Sequence, residues 1–71
     1  MYLTDKQENK IYAEIVKRFE AKFGESTNVE SRFVFDVYNY FTIHTEGDVY
    51  TVDFETLNCK LVIKSIKYKK L

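Results

Sequence analysis

Cys59 and His44 are the side chains of this 71-residue chain that could form a thiolate–imidazole pair. Asp53 and Glu55, with Asp36 and Glu46 nearby, are the ones that could supply paired carboxylates. The first chemistry needs the imidazole within hydrogen-bond reach of the thiol. The second needs two carboxyl groups in a cleft that drives their pKa values apart. Neither set is supported by its surroundings. One cysteine and one distant histidine do not provide the four closely spaced ligands of a zinc site, and a single cysteine excludes an internal disulfide. Gly24 and Gly47 are the only glycines, which rules out a phosphate-cradling loop of the G-x-x-x-x-G-K type. No G-x-S-x-G elbow occurs, and the H-x-E…P-C-x-x-C deaminase signature is not met, since the chain has no proline and a single cysteine. The expectation is a chain with no catalytic residue, no metal ligand and no cofactor.

Whether any of these groups meet depends on the elements that carry them. Thr4 and Gln7 form the S/T-x-x-Q signature of a capped helix start. Ile11, Ile15, Phe19 and Phe23 then recur every fourth residue, with Tyr12 and Val16 widening the stripe, and Gly24 follows as a left-handed terminator. This spacing predicts a helix over about residues 4–23. The segment ESTNVES reads as a polar loop.

From Phe33 the apolar period changes to two. Phe33, Phe35, Val37, Phe41 and Ile43 share one parity with Asn39, while Val34, Tyr38, Tyr40, Thr42 and His44 share the other. The stretch 32–45 reads either as one strand or as two, split near residues 37–39 with Asn39 in a left-handed position. The split form pairs Phe35 with Phe41 and Phe33 with Ile43. Strands over 49–56 and 59–68 follow. A two-residue loop at Glu46-Gly47 sets Ile43 opposite Tyr50 and Phe41 opposite Val52, all apolar and on one face. A second loop at Leu57-Asn58 sets Phe54 opposite Leu61, Val52 opposite Ile63 and Glu55 opposite Lys60. The expected class is α+β: one N-terminal helix packed on one face of an antiparallel meander of three to four strands, in a single domain spanning residues 1–71. In that register Cys59 points into the core and His44 out of the other face, so the pair cannot meet.

Composition bounds the remaining readings. With 45% apolar residues a real core forms, although a chain this short buries only about 60% of its unfolded surface. Eleven basic and eleven acidic residues balance, unlike a domain that grips duplex DNA through phosphates. The charges are unevenly spread: Arg32 is the one base in residues 25–56, whereas residues 57–71 hold Lys60, Lys64, Lys67, Lys69 and Lys70 and no acid. Met1 is followed by neither a basic nor an apolar leader segment, and no run is long enough to span a membrane. With its single thiol, the chain reads as cytoplasmic.

Function must then lie on a surface. The sheet face away from the helix is expected to carry Val34, Tyr38, Tyr40, His44, Val49, Ile66 and Tyr68, with Thr42, Thr51 and Val62 between them. That face is less polar than a solvated one, and tyrosine is favoured where proteins meet. The leading reading is a protein-binding module, inhibitor or adaptor in kind, using this face or the open edge near Phe33. A second reading is single-stranded nucleic-acid binding by Lys60, Lys64, Lys67, Lys69 and Lys70 around Tyr68. A third is a homodimer through the outer face.

Overall fold

The computed structural model describes residues 3–33 and 38–71 of the chain. Val34, Phe35, Asp36 and Val37 of the expectations above lie outside these residues. Helix α1 runs Asp5–Phe23 and starts as the sequence predicts. The Gln7 N–H donates to Thr4 Oγ1 at 3.2 Å, and the Thr4 N–H donates to Gln7 Oε1 at 2.9 Å, so two donors that the first turn would orphan are satisfied reciprocally. Ile11, Ile15 and Phe19 form its buried face. At Gly24 the backbone takes φ 101° with ψ −173°, a conformation open to glycine, while its N–H still donates to the Glu20 carbonyl at 3.0 Å.

The chain leaving the helix is held by Glu20. Its Oε2 accepts from the Ser26 N–H at 2.9 Å and from Ser26 Oγ at 2.7 Å. These two bonds, the backbone one first, hold the Glu20 carboxyl below its ordinary range. A depressed carboxylate stabilises the fold at pH values above its unfolded pKa, and the contribution fades as pH falls through the depressed value. Ser26→Ala is therefore expected to raise the Glu20 titration midpoint toward that of a free glutamate, read by carboxyl-carbon NMR. The backbone bond survives this change, so an unchanged midpoint would show that the hydroxyl contributes nothing.

Five strand segments follow: β1 Asn28–Arg32, β2 Tyr38–His44, β3 Val49–Leu57, β4 Lys60–Leu61 and β5 Lys67–Lys70. All pairings are antiparallel, in the order β1-β2-β3-β4, with β5 also paired to β3. The sheet curls into a half-barrel with the helix packed against it. The β2–β3 hairpin has the predicted register, Ile43 opposite Tyr50 and Phe41 opposite Val52. Thr45 N–H closes it on the Asp48 carbonyl at 2.9 Å, and Gly47 takes φ 108°.

Elsewhere the register departs from expectation. The segment read as a polar loop holds all of β1 but Arg32, and Ile43 pairs with Val29 and Phe41 with Ser31. Residues 32–45 are thus not one strand. Tyr38 and Asn39, expected in the loop of the split form, instead lie in β2 opposite Glu55 and Phe54. Phe33, expected opposite Ile43, still reaches the core, with its ring edge-on to Phe41 and Phe54 at 5.5 and 6.0 Å.

The second loop is Asn58-Cys59, not Leu57-Asn58, and both its residues have positive φ, 51° and 63°. A two-residue hairpin loop of this kind needs left-handed backbone at both positions, and asparagine tolerates that better than a branched leucine. The loop therefore slides by one residue. Leu61 now faces Thr56 and Lys60 faces Leu57. Cys59 sits in the turn, half-buried, rather than in the core.

The expected strand over 59–68 is broken. Ile63–Ser65 forms a 3-10 turn between β4 and β5. Ser65 Oγ accepts from the Glu55 N–H at 2.8 Å and donates to the Val62 carbonyl at 2.7 Å, so a hydroxyl fills a place in the ladder that a backbone carbonyl would otherwise hold. Beyond the turn, Val52 faces Tyr68 and Asp53 faces Lys67. Ile63, expected opposite Val52, is 45% exposed.

The core lies between helix and sheet: Ile11, Ile15 and Phe19 against Phe41, Ile43, Val52 and Phe54. At one end Phe41 meets Tyr12, Phe33 and Phe54. At the other, Phe19 and Phe23 meet Tyr50 and Tyr68.

Candidate functional site: the sheet face opposite the helix

Alternation along β2 and β3 assigns the outer face. Phe41, Ile43, Val52 and Phe54 are buried, so their neighbours Tyr40, Thr42, His44, Val49, Thr51 and Asp53 turn away from the helix and are half-buried. The ladder arranges them in rows. His44 faces Val49; Glu30, Thr42, Thr51 and Lys69 form a second row; Tyr40, Asp53 and Lys67 fall in a third. Tyr38 stands opposite Glu55 in the register. A depression of about 310 Å³ beside Tyr40 is lined by Glu30, Ser31, Tyr40 and Thr42. A smaller one of about 150 Å³ involves Asp53, Glu55, Ser65 and Lys67.

Tyr40, His44 and Val49 thus lie on one sheet face, His44 beside Val49 and Tyr40 two rows away. Ile66 and Tyr68 are not with them. The 3-10 turn reverses the parity of the last strand, and both residues pack against the core. Tyr68 lies across Phe19 and Phe23, at 6.3 and 5.3 Å between ring centroids. Burial pushes its phenol above the ordinary range, with the Arg18 charge pulling the other way.

The same reversal scatters the lysines. Lys67 and Lys69 lie on the outer face beside Asp53 and Thr51. Lys70 pairs with Asp48, Nζ to Oδ1 at 3.3 Å, in register with Tyr50. Lys60 lies in β4 and Lys64 in the 3-10 turn. They do not form one basic stripe, and Tyr68 is not among them as a stacking platform.

The chemically capable groups are apart. Cys59 follows the far end of β3, whose nine residues span about 27 Å, while His44 faces its first residue. Among the described residues no three Cys, His, Asp or Glu side chains gather as a metal site. No described helix is long and apolar enough to cross a membrane.

One concavity has no counterpart in the sequence reading. Ile11, Cys59, Leu61 and Ile63 line a half-open groove of about 470 Å³ between α1 and β4, together with polar side chains that include Lys10, Glu14 and Lys60. Its walls depend on the displaced turn and on Ile63 leaving the strand. Neither is signalled by a period-two pattern. Compared with protein-family models, curated proteins and solved structures, the chain finds no match, so its surface has to be read from its own chemistry.

Proposed function

We propose that this chain is a small, non-enzymatic, cytoplasmic protein-binding module that acts as an inhibitor or adaptor by covering part of a partner's surface. The observation that supports this reading is that Tyr40, His44 and Val49 share the sheet face that no described element covers, with Thr42 and Thr51 between them. Tyrosine brings a large apolar area and one polar tip at small entropic cost, the combination enriched where proteins recognise each other. The depression between Tyr40 and Glu30 gives that face relief, and Glu30 gives it a carboxylate for a basic or hydroxyl group. The face also mixes Glu30, Asp53 and Glu55 with Lys67 and Lys69. Such a mixture suits a protein partner better than a phosphate backbone, which favours concentrated positive charge.

The test is affinity capture from native lysate with and without nuclease, using the wild type, Tyr40→Ala and a helix-surface control, Lys6→Ala. The expected result is one stoichiometric protein that survives nuclease, is kept by Lys6→Ala, and binds Tyr40→Ala about 10- to 100-fold more weakly, as for an interface anchor. Loss of every specific band on nuclease treatment would transfer the reading to nucleic acid. Equal capture by Tyr40→Ala would remove the sheet face from it.

A further inference from the structure

The two edges of the sheet differ in charge logic. β5 is Lys67-Tyr68-Lys69-Lys70, and β1 is Asn28-Val29-Glu30-Ser31-Arg32. Among the described residues no strand pairs with the outer edge of β1, since its one partner is β2. Backbone groups along an antiparallel strand point alternately to either side. Two copies of one strand can therefore meet only in registers that oppose residues of equal parity. For β5, every such register centred on Lys67, Tyr68 or Lys69 sets lysine against lysine. That edge is guarded against its own kind.

For β1 the registers are unequal. Centred on Glu30, the pairing opposes Glu30 to itself. Centred on Val29, it leaves Glu30 against Asn28 and Arg32 against Ser26, with no charge matched. Centred on Ser31, it sets Glu30 opposite Arg32 twice and Val29 opposite Phe33 twice. Val29 and Phe33 are half-buried apolar residues that already pack on the core. Opposite charges and apolar pairs facing each other across strands both stabilise a sheet.

We propose that β1 pairs with β1 of a second copy, antiparallel about a two-fold axis at Ser31, joining two sheets into one. The pairing fills the backbone hydrogen-bond positions of an open edge and extends the Val29–Phe33 margin of the core across the junction. A 71-residue chain without a disulfide gains most from such a partner. The contact is isologous, so it closes at two copies instead of growing into a filament. It uses the edge of the sheet, where Glu30 also borders the depression beside Tyr40.

The test is light scattering after size exclusion, over a concentration series, with the fold checked by circular dichroism. The wild type is expected at twice the 8.5 kDa chain mass. Glu30→Arg and Arg32→Glu, each of which sets like charges opposite one another, are expected to lose the dimer. The double variant, which restores the pairs in exchanged form, is expected to regain it. In a Cys59→Ser background, Ser31→Cys is expected to cross-link two chains on mild oxidation, and Val29→Cys is not, because Val29 faces Phe33. A wild type that stays monomeric throughout, larger assemblies, or a double variant no better than the single ones would overturn the proposal.

Discussion

Phe41→Ala is expected to remove about 3–5 kcal/mol of stability, the range for deleting a fully buried phenylalanine. Phe41 has no exposed surface and lies in β2, between β1 and β3. Its ring meets Tyr12 from the helix at 5.7 Å, Phe33 at 5.5 Å and Phe54 at 5.2 Å, the last at an interplanar angle of 90°. Truncation leaves a void bordered by three rings, which cannot close it without moving helix, edge and central strand together. Domains are stable by roughly 0.05–0.15 kcal/mol per residue, or about 4–11 kcal/mol at this length. The variant should be largely unfolded well below the denaturant midpoint of the wild type, as read by urea titration of ellipticity. A loss under about 1 kcal/mol would mean that the neighbours collapse into the space and that the ring cluster is less rigid than its geometry implies.

The second large effect has the opposite sign. Asn39 is fully buried on the helix side of β2, opposite Phe54, and neither its Oδ1 nor its Nδ2 has a hydrogen-bond partner among the described residues. An unsatisfied buried amide costs about 1–3 kcal/mol, and leucine nearly matches asparagine in shape. Asn39→Leu should therefore stabilise the domain by about that amount, seen as a higher urea midpoint with an unchanged slope. If the variant is less stable than the wild type, the amide has partners that offset its burial, and the site must be understood as a polar network. The two variants lie two residues apart on one strand face, so their effects are not expected to add.

Asn39 also shows why part of the fold was legible and part was not. The helix could be read because three independent signals agree there: the Thr4–Gln7 box, the four-residue apolar spacing and Gly24. The β2–β3 hairpin could be read because a short loop with Gly47 fixes the register of two strongly alternating strands. A polar residue at an inward position, by contrast, looks like a turn, and Asn39 suggested a loop where it instead lies in β2. β1 was hidden for a related reason. An edge strand with one inward apolar residue, Val29, has no periodicity to detect, and Glu30 and Ser31 made it resemble a loop.

The candidate site divides along the same line. Tyr40, His44 and Val49 follow from alternation across a correctly placed hairpin. Ile66 and Tyr68 required knowing that Ser65 would lend its hydroxyl to the Glu55 N–H and let three residues leave the strand. Nothing in the pattern KLVIKSIKYKK distinguishes that outcome from an uninterrupted strand. Both leave apolar and basic residues interleaved.

That turn makes chain length, more than composition, the determinant of what the C-terminal strand shows to solvent. Ile63–Ser65 acts as a phase shift: upstream of it odd-numbered positions such as Leu61 face the helix, and downstream of it even-numbered ones do. Removing or adding a single residue there would turn Lys67 and Lys69 inward and expel Ile66 and Tyr68, while a change of two residues would keep both sets in place. Variation in this stretch should therefore be tolerated in steps of two, a parity rule imposed on length by a hydroxyl.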